Sequence, residues 1–170
     1  MNDALEPPDS HHLRAAIGWL ELGNHVEAGI EISRIAPEKL DHPDVLEIRW
    51  SVCAAGQSWD AGKSVAEKLV ERAPERASGW IHRAYSIRRS KDGGLEKAWD
   101  VLRPAFERFP EEPIIPYNLA CYAALFERAD EAWDWLLKAA AVSRDKKTIK
   151  HMALADPDLA VLRIRVQREL

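Results

Sequence analysis

The sequence contains few cysteines and no excess of basic over acidic residues, and each of these facts argues against a class of protein. Cys53 and Cys121 are the only cysteines in 170 residues, and neither has a second Cys or a His at metal-ligand spacing. A disulfide framework is therefore not expected, and a reducing compartment is favoured. Lys and Arg number 24 against 28 Asp and Glu, which gives a formal net charge of −4. Nucleic acid is an unfavourable partner for such a chain, because phosphate backbones require a basic surface.

Long apolar runs are also missing. No stretch of roughly eighteen apolar residues occurs, so no membrane-spanning helix is predicted. Residues 1–10 are polar and contain two prolines, and they lack the basic and apolar blocks of a secretory signal. We therefore expect a cytoplasmic protein with no membrane partner.

What the sequence does contain is a repeat. The segment Glu96–Leu102 is echoed by Asp130–Leu136, 34 residues later. Small residues recur at nearly the same interval, at Ala28, Gly62, Ala98 and Ala132. A glycine turn at 91–94, two residues longer than the other turns, accounts for the one wider interval of 36 residues. Apolar residues return every three or four positions in these segments, which predicts amphipathic helices stacked as helix-turn-helix hairpins.

The period divides the chain into one domain of about four hairpins. Their predicted bounds are residues 10–42, 43–76, 77–112 and 113–141. Residues 1–9 contain Pro7-Pro8 and no evident apolar anchor, so they are predicted to be a flexible arm. The period stops after Ala141, and residues 142–170 are predicted to form two short capping helices.

Three local features of the predicted helices can be checked directly. The second helix is predicted over 25–36, with Ile30, Ile32 and Ile35 on its buried side. Trp50 occupies a position where the other repeats have a small residue, so the second hairpin is expected to depart from the others. Pro104 lies inside a predicted helix, and we expect a kink near 100–104, because proline removes a helical hydrogen bond.

These positions resemble the pattern of tetratricopeptide repeat (TPR) proteins over about residues 10–141. The third repeat matches the family pattern at its first tryptophan, its small and aliphatic positions and its final proline. These residues are Trp80, Ala84, Ala98, Leu102, Ala105 and Pro110. The runs 116–121 and 155–159 are similar to the end of a group of bacterial TPR proteins. The resemblance implies an all-α fold, an α-solenoid of about four TPR hairpins with a C-terminal helical cap. It implies no enzymatic activity and no cofactor.

In this family the first helices of the hairpins line a concave groove. The resemblance places eleven residues on that face: Glu47, Ser51, Ile81, His82, Tyr85, Arg88, Arg89, Tyr117, Asn118, Cys121 and Leu125. Asn118 matches an asparagine that similar proteins use to hold a ligand's backbone. Arg88 and Arg89 would attract a carboxylate through forked hydrogen bonds. We therefore expect a non-catalytic module that binds a peptide or protein segment with apolar anchors and an acidic group.

Other functions stay open at this point. An exposed apolar convex face around Trp99 and Trp133 would let the stack self-associate as a scaffold. By analogy of size and architecture alone, the protein would instead be a small chaperone for a client. An enzyme is not expected, because His82 has no Ser or Cys nucleophile one turn away with an orienting acid. His11-His12 lacks a carboxylate or thiol at ligand spacing, so these histidines are predicted to be solvated and no metal site is predicted.

Overall fold

The structure, a computed structural model, describes residues 4–170, and all regular secondary structure in that range is helical. The all-α prediction is confirmed. The chain divides into two compact units, which we call unit 1 (up to Gly94) and unit 2 (Leu95–Leu170). The boundary falls at the end of the glycine turn, inside the predicted third hairpin. Each unit is described by itself.

Unit 1 begins with two helical hairpins. The first consists of α1 (Asp9–Glu21) and α2 (His25–Ser33), and the second of α3 (Pro43–Ala55) and α4 (Trp59–Arg72). A 3₁₀ turn (Pro37–Lys39) joins α2 to α3, and α5 (Ala77–Arg89) packs against α4. Contacts between α1 and α3 and between α3 and α5 make these three helices a continuous face of the unit.

Local sequence sets the bounds of these helices. Asn24 accepts a hydrogen bond from the N–H of Glu27 at 3.1 Å and caps the start of α2. His42 caps α3 in the same way, with Pro43 at its first position. The turns that follow α1 and α3 each contain a residue with positive φ, Gly23 at 76° and Gln57 at 54°. These two residues are 34 positions apart, so the two hairpins share one turn geometry at the predicted period.

The predicted small positions are buried where the helices cross. Ala16 of α1 and Ala28 of α2 are both fully buried in one core cluster. In the second hairpin the corresponding pair is Trp50 and Gly62. A Cβ added to Gly62 would lie 3.7 Å from Nε1 of Trp50 and 3.2 Å from Oγ of Ser86. A Cβ at Gly62 would be tight against Ser86 and in ordinary contact with the indole, so the large residue at position 50 is paired with the smallest residue opposite.

The N-terminal segment differs from the prediction for residues 1–9. Residues 1–3 of that predicted arm lie outside the described residues. Leu5 packs against the first core cluster, so the expectation of no apolar anchor is wrong at that residue. Helix α1 already begins at Asp9, whose carboxylate accepts a hydrogen bond from the N–H of Ala36 at 2.9 Å. Sequence inspection missed this contact because its two partners are 27 residues apart.

The second helix is also shorter than predicted. It ends at Ser33, three residues before the predicted end. Ile32 and Ile35 are buried as expected, but Ile30 is 40% exposed, so the prediction of its burial is wrong. The three-residue spacing of Ile32 and Ile35 keeps both on the core side, while Ile30 faces outward.

Unit 2 opens with an interrupted helix. Helix α6 (Leu95–Leu102) stops before Pro104, and α7 (Ala105–Arg108) resumes after it. The predicted interruption near residues 100–104 is therefore confirmed, and proline is its physical cause. Helices α8 (Ile114–Leu125) and α9 (Ala129–Val142) then form a tightly packed hairpin.

Three C-terminal segments follow, where two were predicted. They are α10 (Lys146–Ala155), a 3₁₀ helix (Pro157–Leu162) and α11 (Arg163–Glu169). The 3₁₀ helix packs on α8 and α9, and α10 packs on α9. Leu159, Leu162 and Val166 are buried by this packing. The C-terminal segments thus cover the α8–α9 hairpin of their own unit.

Candidate functional site

Several of the predicted inward residues of unit 1 meet on α3 and α5. Nε2 of His82 lies 2.9 Å from Oε2 of Glu47, and the imidazole donates there because an ionised carboxylate only accepts. The hydroxyl of Ser78 donates to the other carboxylate oxygen, Oε1 of Glu47. The Nη1 atom of Arg76 lies 4.0 Å from the same oxygen. The carboxylate of Glu47 on α3 is thus held by two hydrogen bonds and one nearby cation, all from residues 76–82 around the start of α5.

The charge state of Glu47 follows from these neighbours. Burial by itself would raise the pKa of this carboxyl, but hydrogen bonds from His82 and Ser78 and nearby positive charge outweigh it. The pKa of Glu47 therefore lies below its ordinary value of 4.5, and the group is ionised at neutral pH.

This arrangement does not activate a nucleophile. In a serine nucleophile system the histidine stands between the hydroxyl and the acid. Here Ser78 and His82 both donate to Glu47, so the acid stands between them. The cluster joins α3 to α5, and its geometry gives no support to hydrolytic chemistry.

Trp50 extends the cluster towards the core. Its ring stacks on the imidazole of His82, with centroids 3.6 Å apart and planes 7° apart. Its indole N–H donates to Oγ of the fully buried Ser86 at 2.9 Å. Among residues 4–170, Nδ1 of His82 is buried without a hydrogen-bond partner. The ring of His82 is therefore fixed through one nitrogen and one stacked face.

A cationic and aromatic surface lies further along α5. The guanidinium of Arg89 lies 3.6 Å from the ring centroid of Tyr85 and 5.4 Å from that of Trp59. Its Nη1 donates to the carbonyl of Tyr85 at 3.3 Å. Within the described residues, no carboxylate forms an ion pair with Arg89. We call Tyr85, Trp59 and Arg89 the Arg89 surface.

An open recess of about 480 Å³ adjoins this surface. It is lined by Trp59 and Arg89 together with Gln57, Ser58, Asp60, Ala61 and Lys91. The backbone N–H of Lys91 donates to Asp60 at 3.2 Å, which ties the end of α5 to the start of α4. The recess has one acidic and two basic side chains, so its net charge is positive.

The remaining predicted residues of unit 1 lie beside this cluster. Ser51, Ile81 and Arg88 are half-buried on α3 and α5. The hydroxyl of Ser51 donates to the carbonyl of Glu47 at 3.1 Å, within its own helix. Their placement on an inward face and their role in binding stay predictions.

In unit 2 the predicted residues divide into two kinds. Asn118 is half-buried and Leu125 is 41% exposed, so both keep accessible surface on α8. Tyr117 and Cys121 are buried beneath the 3₁₀ helix, and the structure differs there from an exposed groove wall. The reason is the C-terminal segment, which fills the space that an open groove would need.

Asp156 holds these two buried residues in place. The hydroxyl of Tyr117 donates to its Oδ2 at 3.0 Å, and Sγ of Cys121 lies 3.5 Å from the same oxygen. Burial raises the pKa of the Tyr117 hydroxyl, and the neighbouring Cys121 and Asp156 raise it further. Tyr117 therefore stays protonated and donates this hydrogen bond across the physiological pH range.

One set of donor atoms has metal-ligand proximity. Sγ of Cys121 and carboxylate oxygens of Asp156 and Asp158 lie within 4.8 Å of one another. Thiolate and carboxylate together would suit a divalent cation such as zinc. However, the hydrogen bond from Tyr117 and the cap that Asp156 makes to the N–H of Asp158 at 2.9 Å already account for this geometry.

Sequence reasoning missed four residues in unit 1. Trp50, Ser78 and Ser86 belong to the contacts around Glu47 and His82, and Trp59 belongs to the Arg89 surface. Trp50 had a signal, because a large residue stood where the repeat has a small one. The two serines had none, since their partners are one repeat away. A contact of His12 within the first hairpin was also missed. Its Nδ1 lies 2.8 Å from Oε2 of Glu31, 19 residues away, so the prediction of a solvated histidine there is wrong.

Comparison with known proteins names no family for this arrangement. No protein-family model matches the sequence, and no curated protein matches it. Over residues 4–170, every helix falls short of the length or apolar character that a membrane crossing requires.

Proposed function

We propose that the protein is a non-catalytic binding module that holds a peptide or protein segment on unit 1, where the end of α5 meets the start of α4. The observation that carries this proposal is the Arg89 surface. A guanidinium stacked on aromatic rings keeps its N–H edge available for a carboxylate, and Arg89 has no carboxylate partner among the described residues.

The chemistry of the ligand follows from this surface. Tyr85 and Trp59 offer ring faces for an apolar or aromatic side chain. Arg89, with Lys91 beside the recess, offers positive charge for an acidic one. We therefore propose a segment in which an aromatic or aliphatic residue stands next to Asp or Glu. Glu47, through its hydrogen bonds with Ser78 and His82, joins α3 to α5 and so helps to fix the helix that carries Arg89.

The finer architecture belongs to the same proposal. A TPR solenoid is supported by the buried small residues at the predicted period and by the turn geometry shared by Gly23 and Gln57. A cytoplasmic location is supported by the two cysteines, which are both free thiols.

Calorimetric titration with acidic, aromatic-containing peptides tests the function. Arg89→Gln should weaken binding by about tenfold or more, because a hydrogen bond to a charged group contributes about 1.5–3 kcal/mol. The matched control is Arg144→Gln, which removes the same charge from an exposed position in unit 2. Equal affinities of wild type and Arg89→Gln for every peptide that binds would exclude the Arg89 surface as the site.

The alternative of self-association through Trp99 and Trp133 loses support. Trp133 is only 4% exposed, and the guanidinium of Arg165 lies 4.4 Å from its ring centroid. Trp99 is half-buried, with its ring edge-on to Trp135 and Phe126. The expectation of an exposed apolar face is therefore wrong at Trp133. No contact in either unit favours the chaperone alternative over simple segment binding.

A further inference from the structure

We propose that the protein associates with a second copy of itself through two unlike patches. The N-terminal patch consists of Leu22, Val26 and Ile30, and the C-terminal patch consists of Val161 and Ile164. In this association the N-terminal patch of one copy contacts the C-terminal patch of the next. The proposal uses neither the Arg89 surface nor its ligand, so it stands apart from the proposed binding function.

The N-terminal patch is a group of aliphatic side chains without cover in its own chain. Val26 and Ile30 are 60% and 40% exposed, and their spacing of four residues places them on one face of α2. Leu22, in the turn just before α2, is 76% exposed. Single exposed aliphatic residues are ordinary on soluble proteins, but a group of three on one short segment is typical of a contact surface.

The segment that carries this patch is acidic. Residues 4–35 contain five acidic side chains (Glu6, Asp9, Glu21, Glu27 and Glu31) and two basic ones (Arg14 and Arg34). Glu31 is already paired with His12 and Arg34. Within the described residues, Glu6, Glu21 and Glu27 form no ion pair. Glu21 and Glu27 adjoin Leu22 and Val26 in sequence, so the apolar patch has uncompensated negative charge beside it.

The C-terminal patch lies in a segment of the opposite, basic charge. Val161 and Ile164 are 63% and 67% exposed, whereas their neighbours Leu162 and Val166 are buried. Residues 146–170 contain six basic side chains (Lys146, Lys147, Lys150, Arg163, Arg165 and Arg168) and three acidic ones (Asp156, Asp158 and Glu169). Of the basic residues only Arg165 forms an ion pair among residues 4–170, with Asp130 and Glu169.

Charge decides which patches meet. Two N-terminal segments would each bring an excess of three acidic side chains, with Glu21 and Glu27 next to the patch. Two C-terminal segments would each bring an excess of three basic ones, with Arg163 and Arg165 next to Ile164. Only the unlike pair combines apolar contact with attraction, because like charges across an interface are strongly unfavourable. The contact is therefore heterologous, with different surfaces on the two copies. Five aliphatic side chains make a small interface, so association should be weak and visible in concentrated solution.

Sedimentation of the full chain tests this proposal through two complementary variants. Val26→Lys places positive charge in the N-terminal patch, and Ile164→Glu places negative charge in the C-terminal patch. Wild type should show a mass that rises with concentration and falls with added salt. Each variant alone should stay at the monomer mass of 19.2 kDa at concentrations where wild type associates. Both side chains are largely exposed, and circular dichroism checks that the variants keep their helices.

Mixing the two variants gives the decisive result. Val26→Lys keeps an intact C-terminal patch and Ile164→Glu keeps an intact N-terminal patch, so an equimolar mixture should recover association and reach at least double the monomer mass. Leu137→Lys is the matched control, because Leu137 is 41% exposed and lies in neither patch; it should associate as wild type does. A wild type whose mass does not change with concentration, association of either variant alone, or a mixture that stays monomeric would each overturn the proposal.

Discussion

Replacing Trp50 with phenylalanine would remove one hydrogen-bond donor from a buried contact and keep an aromatic ring beside His82. The indole N–H donates to Ser86 at 2.9 Å, and Ser86 is fully buried. The variant leaves that hydroxyl without its donor, and an orphaned buried polar group costs about 1–3 kcal/mol. The smaller ring also leaves unfilled volume. Together the two costs should lower the free energy of unfolding of Trp50→Phe by about 2 kcal/mol.

A double-mutant cycle isolates the hydrogen bond from the loss of volume. Its four members are wild type, Trp50→Phe, Ser86→Ala and the double variant, each unfolded in urea and followed by circular dichroism. Because Ser86→Ala removes the orphan that Trp50→Phe creates, the double variant should be more stable than the summed costs imply, by about 1 kcal/mol. With slopes of about 1–3 kcal/mol per molar urea, the single variants should shift the midpoint by about 1 M.

The matched control for this cycle is Trp59→Phe. Trp59 is also half-buried beside Tyr85, and within the described residues its indole N–H donates to no partner. It should cost clearly less than Trp50→Phe. Purely additive costs in the cycle, or an equal cost for the two tryptophans, would refute the view that this hydrogen bond joins α3 to α5.

Three further perturbations address other contacts. Gly62→Leu should cost about 1–3 kcal/mol by overpacking, since even a Cβ would lie 3.2 Å from Ser86 Oγ; thermal melts within 1 °C of wild type would contradict this. Because the pKa of Glu47 is lowered, its stabilisation is complete above 4.5 and is lost as pH falls through the folded value. The stability difference between wild type and Glu47→Gln, which keeps His82 and Arg76, should therefore shrink below pH 4.5 in acid titrations. A difference that stays constant with pH would count against the interaction of Glu47 with His82. Asp9→Ala should cost about 1 kcal/mol by removing the acceptor of the Ala36 N–H, with faster hydrogen exchange of that amide as the direct measure.

The helices could be predicted from the sequence because their signals are local. The helix Trp59–Arg72 lies within the second predicted hairpin, because a glycine-containing turn precedes it and Pro74 follows it. The interruption at Pro104 was predictable for the same reason, because the missing N–H belongs to one residue. The predicted small residues are buried as well, which periodicity alone indicates.

The site was predictable only as a set of positions on helix faces. Glu47 and His82 were both placed on the inward side, but their hydrogen bond to each other depends on how two neighbouring helices align. The burial of Tyr117 and Cys121 was missed for a related reason. Their cover comes from a segment some forty residues later, outside the repeat pattern, and the 34-residue period carries no information about it.

The placement of the two cysteines gives each unit its own probe of local opening. Cys121 is buried under the 3₁₀ helix of unit 2, while Cys53 lies half-buried in unit 1 beside a cavity of about 260 Å³, where burial raises the pKa of its thiol. Alkylation of a shielded thiol under native conditions proceeds only when its surroundings open. The reaction rate of Cys121, resolved by mass spectrometry, therefore reports how often the C-terminal cover lifts. The rate of Cys53, which keeps accessible surface, reports the exposure of its thiol in the second hairpin.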